Sequence, residues 1–328
     1  MGYNKENFKR VREEYATKTF RAQEEAELRR AELYAAIPAV RDMDQQLSAF
    51  GLRIMQTALK SGNTEVDIAK LREENERILQ ARAELLRQHG YPANYSEPQY
   101  ECEACRDTGY VGIKMCSCMR KKLAEAGMAS SGLSGLMHKQ SFENFSLEYY
   151  KQNPEHYRIM KQVFEFVVRY AKEFTIENGK PAPSSLLFLG GTGLGKTHLS
   201  TAIARCVIER GYDVYYNSAL GMFSDFEYMR FGNSVASTQE VDTSRYTECD
   251  LLILDDLGTE TVNQFTISCL YHVVNTRLNL GKPTIISSNF TSSELKKIYN
   301  ERLSSRFQGE YCVFPFYGVD IRKQKIQK

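Results

Sequence analysis

The sequence predicts an α/β protein in which a mostly parallel sheet, covered by helices on both faces, follows an α-helical N-terminal region. Three observations predict this architecture. Residues 6–89 are rich in Glu, Arg, Gln, Ala and Leu, which are good helix formers. After residue 141, short apolar runs alternate with helical patterns, which is typical of parallel strands joined by helices. Between the two regions, four cysteines fall within seventeen residues.

The composition is that of an ordinary globular chain, with 328 residues, 42% hydrophobic and 26% charged. This length is enough for two domains. The net charge of +2 gives no strong overall field, so any contact with nucleic acid must come from a local patch. No run reaches the roughly 18 apolar residues of a membrane span, and the N-terminus lacks the apolar stretch of a secretory signal. We therefore expect a cytoplasmic protein without a membrane partner, whose eight cysteines are thiols or metal ligands.

Residues 1–95 are predicted to form a helical arm. Pro38 fits the first turn of a second helix, where its missing N–H is harmless. The stretch 61–63 is a break, and a third helix is expected to begin at Thr64 and to stop at Gly90. Such an arm either packs on itself as a bundle or docks onto a partner protein, and both interpretations stay open.

Three further regions follow the arm. Residues 96–126 are expected to form a small cysteine module, residues 127–140 a linker rich in Gly and Ser, and residues 141–328 the α/β domain. A helix is predicted over 154–174. The apolar runs that predict strands are 185–190, 213–217, 250–256, 283–289 and 310–316.

The cysteine module contains two closely spaced pairs, Cys102 with Cys105 and Cys116 with Cys118. Four thiolates in this pattern suit tetrahedral Zn²⁺. His89 is the nearest substitute if one cysteine is not a ligand, and a redox dithiol is the rival interpretation. Because four protein ligands leave no open coordination position, the sequence predicts a structural zinc.

Residues 190–197 match the pattern GxxxxGK[ST], follow an apolar strand and open a helix. The glycines let backbone N–H groups point at phosphate oxygens, and the helix N-terminus adds partial positive charge. Lys196 is expected to reach the β- and γ-phosphates, and the Thr197 hydroxyl to ligate Mg²⁺. The motif therefore predicts binding of ATP with Mg²⁺. Its residues are Gly190, Gly191, Thr192, Gly193, Leu194, Gly195, Lys196 and Thr197.

Two carboxylates end the apolar run at 250–256. Asp255 is expected to hold Mg²⁺ beside Thr197, and Asp256 to orient or deprotonate the attacking water. At the second of these two acidic positions, Glu is more usual than Asp in ATPases of this kind. Glu260 is therefore a rival for orienting the water, and slow hydrolysis is expected. Asn289 ends the next strand and is placed to reach the γ-phosphate and the water.

Arg302 and Arg306 are four residues apart and therefore share one helical face. A guanidinium directed at the γ-phosphate of a neighbouring subunit would stabilise charge during phosphoryl transfer. The alternative is a solvated helix face.

The order of GGTGLGKTHLS, LLILDDLGTE, TIISSNF and ERLSSRF resembles the AAA+ ATPases of the replication-initiation branch, and within it the bacterial replicative helicase loaders of the DnaC/DnaI type. The resemblance covers roughly residues 140–325 and implies an AAA+ P-loop fold. It implies that Asn289 is the first sensor, that Arg306 is the arginine finger with Arg302 as its accessory, and that Arg322 is a second sensor.

The resemblance also implies a role for residues 219–231, where this branch inserts a helix that touches single-stranded DNA. Tyr228 and Arg230 would stack on bases or meet phosphates. Phe223 and Phe226 could do the same, but core packing is the favoured interpretation for these two.

The resemblance implies a function. The expected activity is ATP-dependent loading of a hexameric DnaB-type replicative helicase onto single-stranded DNA during replication initiation. The arm would grip the helicase, and the ATPase domain would self-associate. Two alternatives stay open, a transposition helper ATPase of the IstB type and an adaptor that binds ATP without hydrolysing it.

Overall fold

The computed structural model describes residues 3–58, 64–133, 135, 139–176, 183–231 and 242–326. It divides into two compact units. The helical unit is Arg12–Cys116, and the sheet unit combines Met1–Val11 with Ser117–Lys328. None of the described helices is both long and apolar enough to span a membrane.

Three long helices begin the chain, and they confirm the predicted helical character. They are α1 (Lys5–Ala36), α2 (Pro38–Ala58) and α3 (Thr64–Gln88). The predicted starts at Pro38 and Thr64 are both found, while the predicted break at 61–63 lies outside the described residues.

The helical unit has a small core. Leu33, Ile37, Val40 and Leu86 form a cluster in which no member is more than 5% exposed. A polar contact also joins two of the helices: the Nε atom of Arg82 on α3 donates to Oδ1 of Asp44 on α2 at 2.6 Å. Both apolar packing and polar contacts between helices therefore stabilise this unit.

The first residues of the chain pack within the sheet unit. The side-chain amide of Asn7 donates to the Ser130 hydroxyl at 2.6 Å and to the Ala126 carbonyl at 3.3 Å. Val11 is 1% exposed. A Cβ atom added at Gly211 would lie 2.7 Å from the ring of Tyr3, so this ring rests directly on the glycine. Segment 3–11 is therefore part of the sheet unit, although the helical unit follows it in sequence.

The sheet unit contains five strands and the remaining long helices, and each predicted strand is present. A short hairpin of β1 (Tyr110–Val111) and β2 (Lys114–Met115) belongs to the helical unit. The described elements of the sheet unit after residue 116 are, in chain order, α4 (Ser117–Ser130), the 3₁₀ helix Leu147–Tyr150, α5 (Pro154–Glu173), β3 (Ser185–Leu189), α6 (Lys196–Glu209), β4 (Val214–Ser218), α7 (Ala219–Phe231), α8 (Arg245–Glu248), β5 (Leu251–Leu257), α9 (Gln264–Asn279), β6 (Thr284–Ser288), α10 (Ser292–Ile298), α11 (Glu301–Glu310), β7 (Tyr311–Pro315) and α12 (Ile321–Ile326).

The five strands pair in the order β4-β5-β6-β3-β7, and every pairing is parallel. Successive residues of β3 face opposite sides of the sheet: Leu186 belongs to one buried cluster, and Leu187 to the other. Strands buried on both faces are rich in apolar residues, which is why β3 and β5, with Leu186–Leu189 and Leu251–Leu254, were recognisable in the sequence. The structure confirms the predicted α/β architecture.

The stretch 127–140 differs from the linker that its Gly and Ser content suggested. Helix α4 extends through Ser130, and Leu133 is fully buried in the first cluster of the sheet unit. The Ser131 carbonyl accepts a hydrogen bond from the Tyr216 N–H at 2.8 Å. Buried Leu133 and the hydrogen bonds at Ser130 and Ser131 therefore pack the described part of this stretch onto the sheet unit, which the composition alone did not reveal.

Candidate functional site

A cavity of about 210 Å³ lies at the carboxyl ends of the parallel strands, where α/β sheets usually bind their ligands. The phosphate loop forms one wall, between the end of β3 and the start of α6. Other walls come from the ends of β5 and β6, from α12 and from the segment before α5. The residues that line the cavity are Gln140, Asn144, Phe145, Ser146, Tyr149, Thr192, Gly193, Leu194, Gly195, Lys196, Thr197, His198, Asp256, Asn289, Ile321 and Arg322.

The glycines of the loop are required by its conformation. Gly193 and Gly195 have φ angles of 70° and 89°, in the left-handed region that glycine favours. A Cβ atom at Gly193 would overlap the carboxylate of Asp320, and one at Gly195 would lie 2.8 Å from the ring of Phe145. Other segments of the same chain therefore pack directly against the backbone of the loop and fix its conformation.

Lys196 and Asn289 meet in the cavity, although 93 positions separate them in the chain. The ammonium of Lys196 donates to Asn289 Oδ1 at 2.9 Å. It also donates to the carbonyls of Gly190 and Gly191 at 2.7 and 2.8 Å. Burial lowers the pKa of Lys196, and the charges of Asp256 and Asp255 act in the opposite direction. The predicted phosphate-binding lysine and the predicted sensor are thus in direct contact.

Thr197 and Asp255 are also in contact, as a shared Mg²⁺ ion requires. The Thr197 hydroxyl donates to Asp255 Oδ2 at 2.8 Å, and the Tyr216 hydroxyl donates to the same oxygen at 2.8 Å. The Ser287 hydroxyl donates to Asp255 Oδ1. Burial raises the pKa of Tyr216, which keeps its hydroxyl a donor. The hydroxyl and carboxylate oxygens form the hard donor set that Mg²⁺ prefers.

Asp256 lines the cavity, whereas Glu260 does not. Burial raises the pKa of Asp256, and the neighbouring charge of Asp255 adds to the effect. The buried carboxylate of Glu260 accepts hydrogen bonds from the Gly258 N–H at 2.8 Å and from the Tyr299 hydroxyl. Of the two candidate water-orienting acids, only Asp256 is directed at the cavity.

The backbone of Asp256 is unusual, with a φ angle of 55°. Outside glycine this left-handed conformation costs on the order of 1 kcal/mol, and Asp is among the residues that tolerate it best. The Ser287 hydroxyl accepts from the Asp256 N–H at 3.0 Å, and the Thr259 hydroxyl donates to the Asp256 carbonyl at 2.9 Å. These contacts hold the carboxylate at the cavity wall.

The three predicted arginines occupy two different places. Arg322 lines the cavity at the start of α12, and the neighbouring Ile321 N–H donates to the Gly193 carbonyl at 3.0 Å. Arg302 and Arg306 lie on α11 and do not line this cavity. Arg302 is exposed, and Arg306 donates to Asn275 Oδ1 at 3.0 Å. The structure therefore joins Arg322, but not the α11 pair, to the phosphate loop of the same chain.

The segment before α5 contributes side chains that the sequence reasoning did not assign to the site. Phe145 and Tyr149 line the cavity, and the Tyr150 hydroxyl donates to the Leu194 carbonyl at 2.8 Å. His198 Nε2 lies 2.8 Å from the Ser141 carbonyl. The only signal in the sequence was the aromatic and acidic run SFENFSLEYY at 141–150, which has no motif of its own.

Helix α7 divides its aromatic residues between core and surface. Phe223 is 2% exposed, and Phe226 packs on Tyr246 with ring centroids 5.6 Å apart. Core packing is confirmed for both. Tyr228 is 39% exposed, and the Arg230 guanidinium lies 5.5 Å from the Phe265 ring.

The cysteine cluster is a compact set of four sulfur ligands. The Sγ atoms of Cys102, Cys105, Cys116 and Cys118 all lie within 4.8 Å of one another, and those of Cys102 and Cys116 are 3.9 Å apart. Tetrahedral zinc with Zn–S near 2.3 Å sets sulfurs about 3.8 Å apart, so the cluster fits this metal. His89 is not a member of the cluster.

Backbone hydrogen bonds shape the turn between the first two cysteines. The buried carboxylate of Asp107 accepts from the N–H groups of Glu101 and Cys102, both at 2.8 Å. The Cys116 N–H donates to the Gly109 carbonyl at 2.8 Å. The carboxylate of Asp107 therefore closes the turn that carries Cys102 and Cys105.

The stretch of the chain that contains the phosphate loop is similar to a family of ATP-binding proteins. Residues 176–305 match the family described as "IstB-like ATP binding protein". The chain is 32% identical over 221 residues to the uncharacterized protein YqaM of Bacillus subtilis (strain 168), and the match covers 65% of each chain, which is less than two thirds of YqaM.

Two further comparisons involve replication proteins. The chain is 27% identical over 196 residues to the replicative helicase loader DnaC of Escherichia coli (strain K12), covering 60% of this chain and 74% of that one. A crystal structure of the DnaC helicase loader aligns with a TM-score of 0.43 at 22% identity, covering 54% of this chain and 98% of that chain.

Proposed function

Since the chain belongs to the DnaC-type AAA+ ATPases with an IstB-like ATP-binding domain, we propose that it loads a replicative DNA helicase onto single-stranded DNA. The observation that carries the proposal is the meeting of Lys196 with Asn289 and of Thr197 with Asp255 at one cavity. This arrangement, in a relative of proteins named replicative helicase loaders, supports ATP-driven work on a helicase.

The proposed substrate of the cavity is ATP with Mg²⁺. Lys196 and the loop N–H groups would bind the β- and γ-phosphates, and Thr197 and Asp255 would hold the metal. Mg²⁺ supplies neutralisation of the charge that develops on the phosphate oxygens. Asp256 would orient the attacking water, and Asn289 would hold the γ-phosphate end of the cavity.

Arg302 and Arg306 would act on a neighbouring protomer. They lie outside the cavity of their own chain, and Arg302 is exposed, as a residue offered to another subunit must be. Arg322 would instead contact the nucleotide bound in the same protomer. Hydrolysis would then depend on self-association, because an arginine supplied in trans completes the charge set for phosphoryl transfer.

The helical unit would bind the helicase. It exposes large apolar side chains along its helices, with Phe20 65%, Leu28 67% and Leu52 61% exposed. Contiguous apolar surface is typical of docking sites, and we propose that these side chains belong to one. The cysteine cluster would hold one zinc ion, and metal binding would supply free energy for folding the short segment around it.

Single-stranded DNA would meet the end of α7. Tyr228 and Met229 are exposed there, at 39% and 58%, and an exposed aromatic ring can stack on a base whatever the sequence. Phe223 is buried and Phe226 is partly buried against Tyr246, so these two take no part in the proposed contact.

The test is a loading assay on circular single-stranded DNA, which offers a ring-shaped helicase no free end. We expect the protein with ATP to transfer the replicative helicase of its host onto the circle, as measured by sedimentation of helicase with DNA. Lys196→Ala should remove the transfer. Binding to a transposase without helicase transfer would favour the IstB-type alternative, and transfer that continues without phosphate release would favour a non-hydrolysing adaptor.

A further inference from the structure

The turn that follows β5 is fastened to the end of β6. Gly258 has a φ angle of 102°, and a Cβ atom there would overlap the ring of Phe290, which directly follows Asn289. The Ser288 hydroxyl donates to the Leu257 carbonyl at 2.6 Å. The acids at the end of β5 and the asparagine at the end of β6 therefore sit on one rigid corner.

A buried hydrogen bond connects this corner to the start of α11. Glu260 is 8% exposed and Tyr299 is 2% exposed. One oxygen of the Glu260 carboxylate accepts from the Gly258 N–H, and the other accepts from the Tyr299 hydroxyl. Because both side chains are buried, no water is available to replace a lost partner, and the bond holds the two elements in fixed register.

Tyr299 also stands immediately before the helix that carries the arginines. Its own N–H donates to the Leu295 carbonyl at 2.9 Å and ends α10. The next residue, Asn300, caps α11 by accepting from the Leu303 N–H at 3.0 Å. Arg302 is therefore three residues from Tyr299, and its position depends on where Tyr299 is held.

We infer that Glu260 and Tyr299 are positioning residues that tie the arginine helix α11 to the catalytic corner of the same protomer. The nucleotide-contacting side chains at the corner then determine how that protomer presents Arg302 and Arg306 to its neighbour. This inference rests on the proposed function, since it assumes that the arginines act in trans. It gives Glu260 a role other than activating water, because both of its oxygens are occupied away from the cavity.

The experiment uses mixtures of full-length variants. Lys196→Ala protein binds ATP too weakly to be occupied at the concentration used but offers its arginines, and Arg306→Ala protein binds ATP but lacks the finger. Mixing the two should restore hydrolysis. Adding Tyr299→Phe to the arginine-offering variant should lower the restored rate by roughly tenfold, well short of the 10³-fold or larger loss expected when the finger itself is removed. Adding it to the ATP-holding variant should cause a smaller loss.

Controls separate positioning from general damage. Tyr212→Phe removes another buried tyrosine hydroxyl, which donates to Thr175 at 3.3 Å, and should leave the restored rate unchanged. Glu260→Gln should largely retain it, because the amide can still donate to Tyr299 and accept from Gly258. Glu260→Ala should not. ATP affinity of the single Tyr299→Phe variant, measured with a fluorescent analogue, should stay within about twofold if only presentation of the arginines is affected.

The outcomes also separate the inference from its premise. If the parent mixture restores no hydrolysis, the arginines do not act in trans, and both the premise and the inference fall. If the parent mixture works but Tyr299→Phe on the arginine-offering variant has no effect, the inference alone is wrong. Equal losses on both variants would likewise overturn it, because a merely structural bond weakens every protomer alike.

Discussion

The helical unit and the sheet unit hold their folds by different means. In the sheet unit, apolar residues are buried on both faces of a parallel sheet, and its motifs are local to strand ends. The helical unit contains the apolar cluster around Leu33, the ion pair of Arg82 with Asp44, and three of the four clustered cysteines, Cys102, Cys105 and Cys116. We therefore expect removal of metal to affect residues 102–118 strongly and the nucleotide cavity, whose lining contains no cysteine, very little.

Metal removal is the strongest test of this contrast. Binding of structural zinc contributes on the order of 10 kcal/mol to the folding of a small site, so chelation should unfold the cysteine module. We expect about one zinc per chain, measured by elemental analysis, and loss of hydrogen-exchange protection at 102–118 after chelation. ATP affinity should not change. The contrast fails if zinc is absent, or if chelation abolishes ATP binding as well.

Removal of the finger is expected to have the next largest effect, and only in the sheet unit. Arg306→Ala should lower hydrolysis in the assembled protein by roughly 10³-fold, about 4 kcal/mol, because the charge in the transition state loses its partner. Affinity for ATP should remain, as checked by fluorescence titration. Phosphate release at the unaltered rate would remove the finger role from Arg306.

Loss of the phosphate-loop lysine should be somewhat smaller in energy but earlier in the cycle. Lys196→Ala should weaken ATP binding by roughly 100-fold, since charge-assisted hydrogen bonds of this kind contribute about 1.5–3 kcal/mol. Hydrogen exchange in the helical unit should stay as it was. Micromolar ATP affinity in the variant would contradict the assignment of the loop.

The smallest effect sharpens the contrast from the other side. Asp44→Asn weakens a partly buried ion pair with Arg82, whose side chains are 17% and 12% exposed, and should destabilise the helical unit by about 1 kcal/mol. Chemical denaturation followed by circular dichroism measures the change. Phosphate release by the variant should match the unaltered protein, and a large fall would show that the units do not respond separately.

The sequence was most informative where chemistry and chain neighbourhood coincide. The phosphate loop and Asp255 were recognised because a strand, a turn and a helix must follow one another for a phosphate to be bound. The cysteine pairs were recognised because the ligands of one metal ion lie close together in the chain. Asn289 needed one further step, the expectation that a polar residue at the end of the next strand reaches the γ-phosphate.

The remaining site residues depend on distances that the sequence does not contain. Tyr216 and Ser287 hold Asp255 only because β4 and β6 flank β5, and strand order was not predicted. Glu260 and Asp256 were indistinguishable until the turn between them showed which carboxylate reaches the cavity. Leu133 lay in a stretch whose composition suggested a linker, and one apolar side chain against the sheet outweighed that composition.

The placement of segment 3–11 in the sheet unit has a consequence for synthesis on the ribosome. The sheet unit is discontinuous in sequence, since its first piece emerges before residues 12–116 and all of its strands emerge after them. Because domains tend to fold as units, the helical unit can finish first, while Tyr3, Asn7 and Val11 await the surfaces that will bury them. A deletion of residues 3–11 therefore removes side chains that the sheet unit buries, although these residues are synthesised before the helical unit.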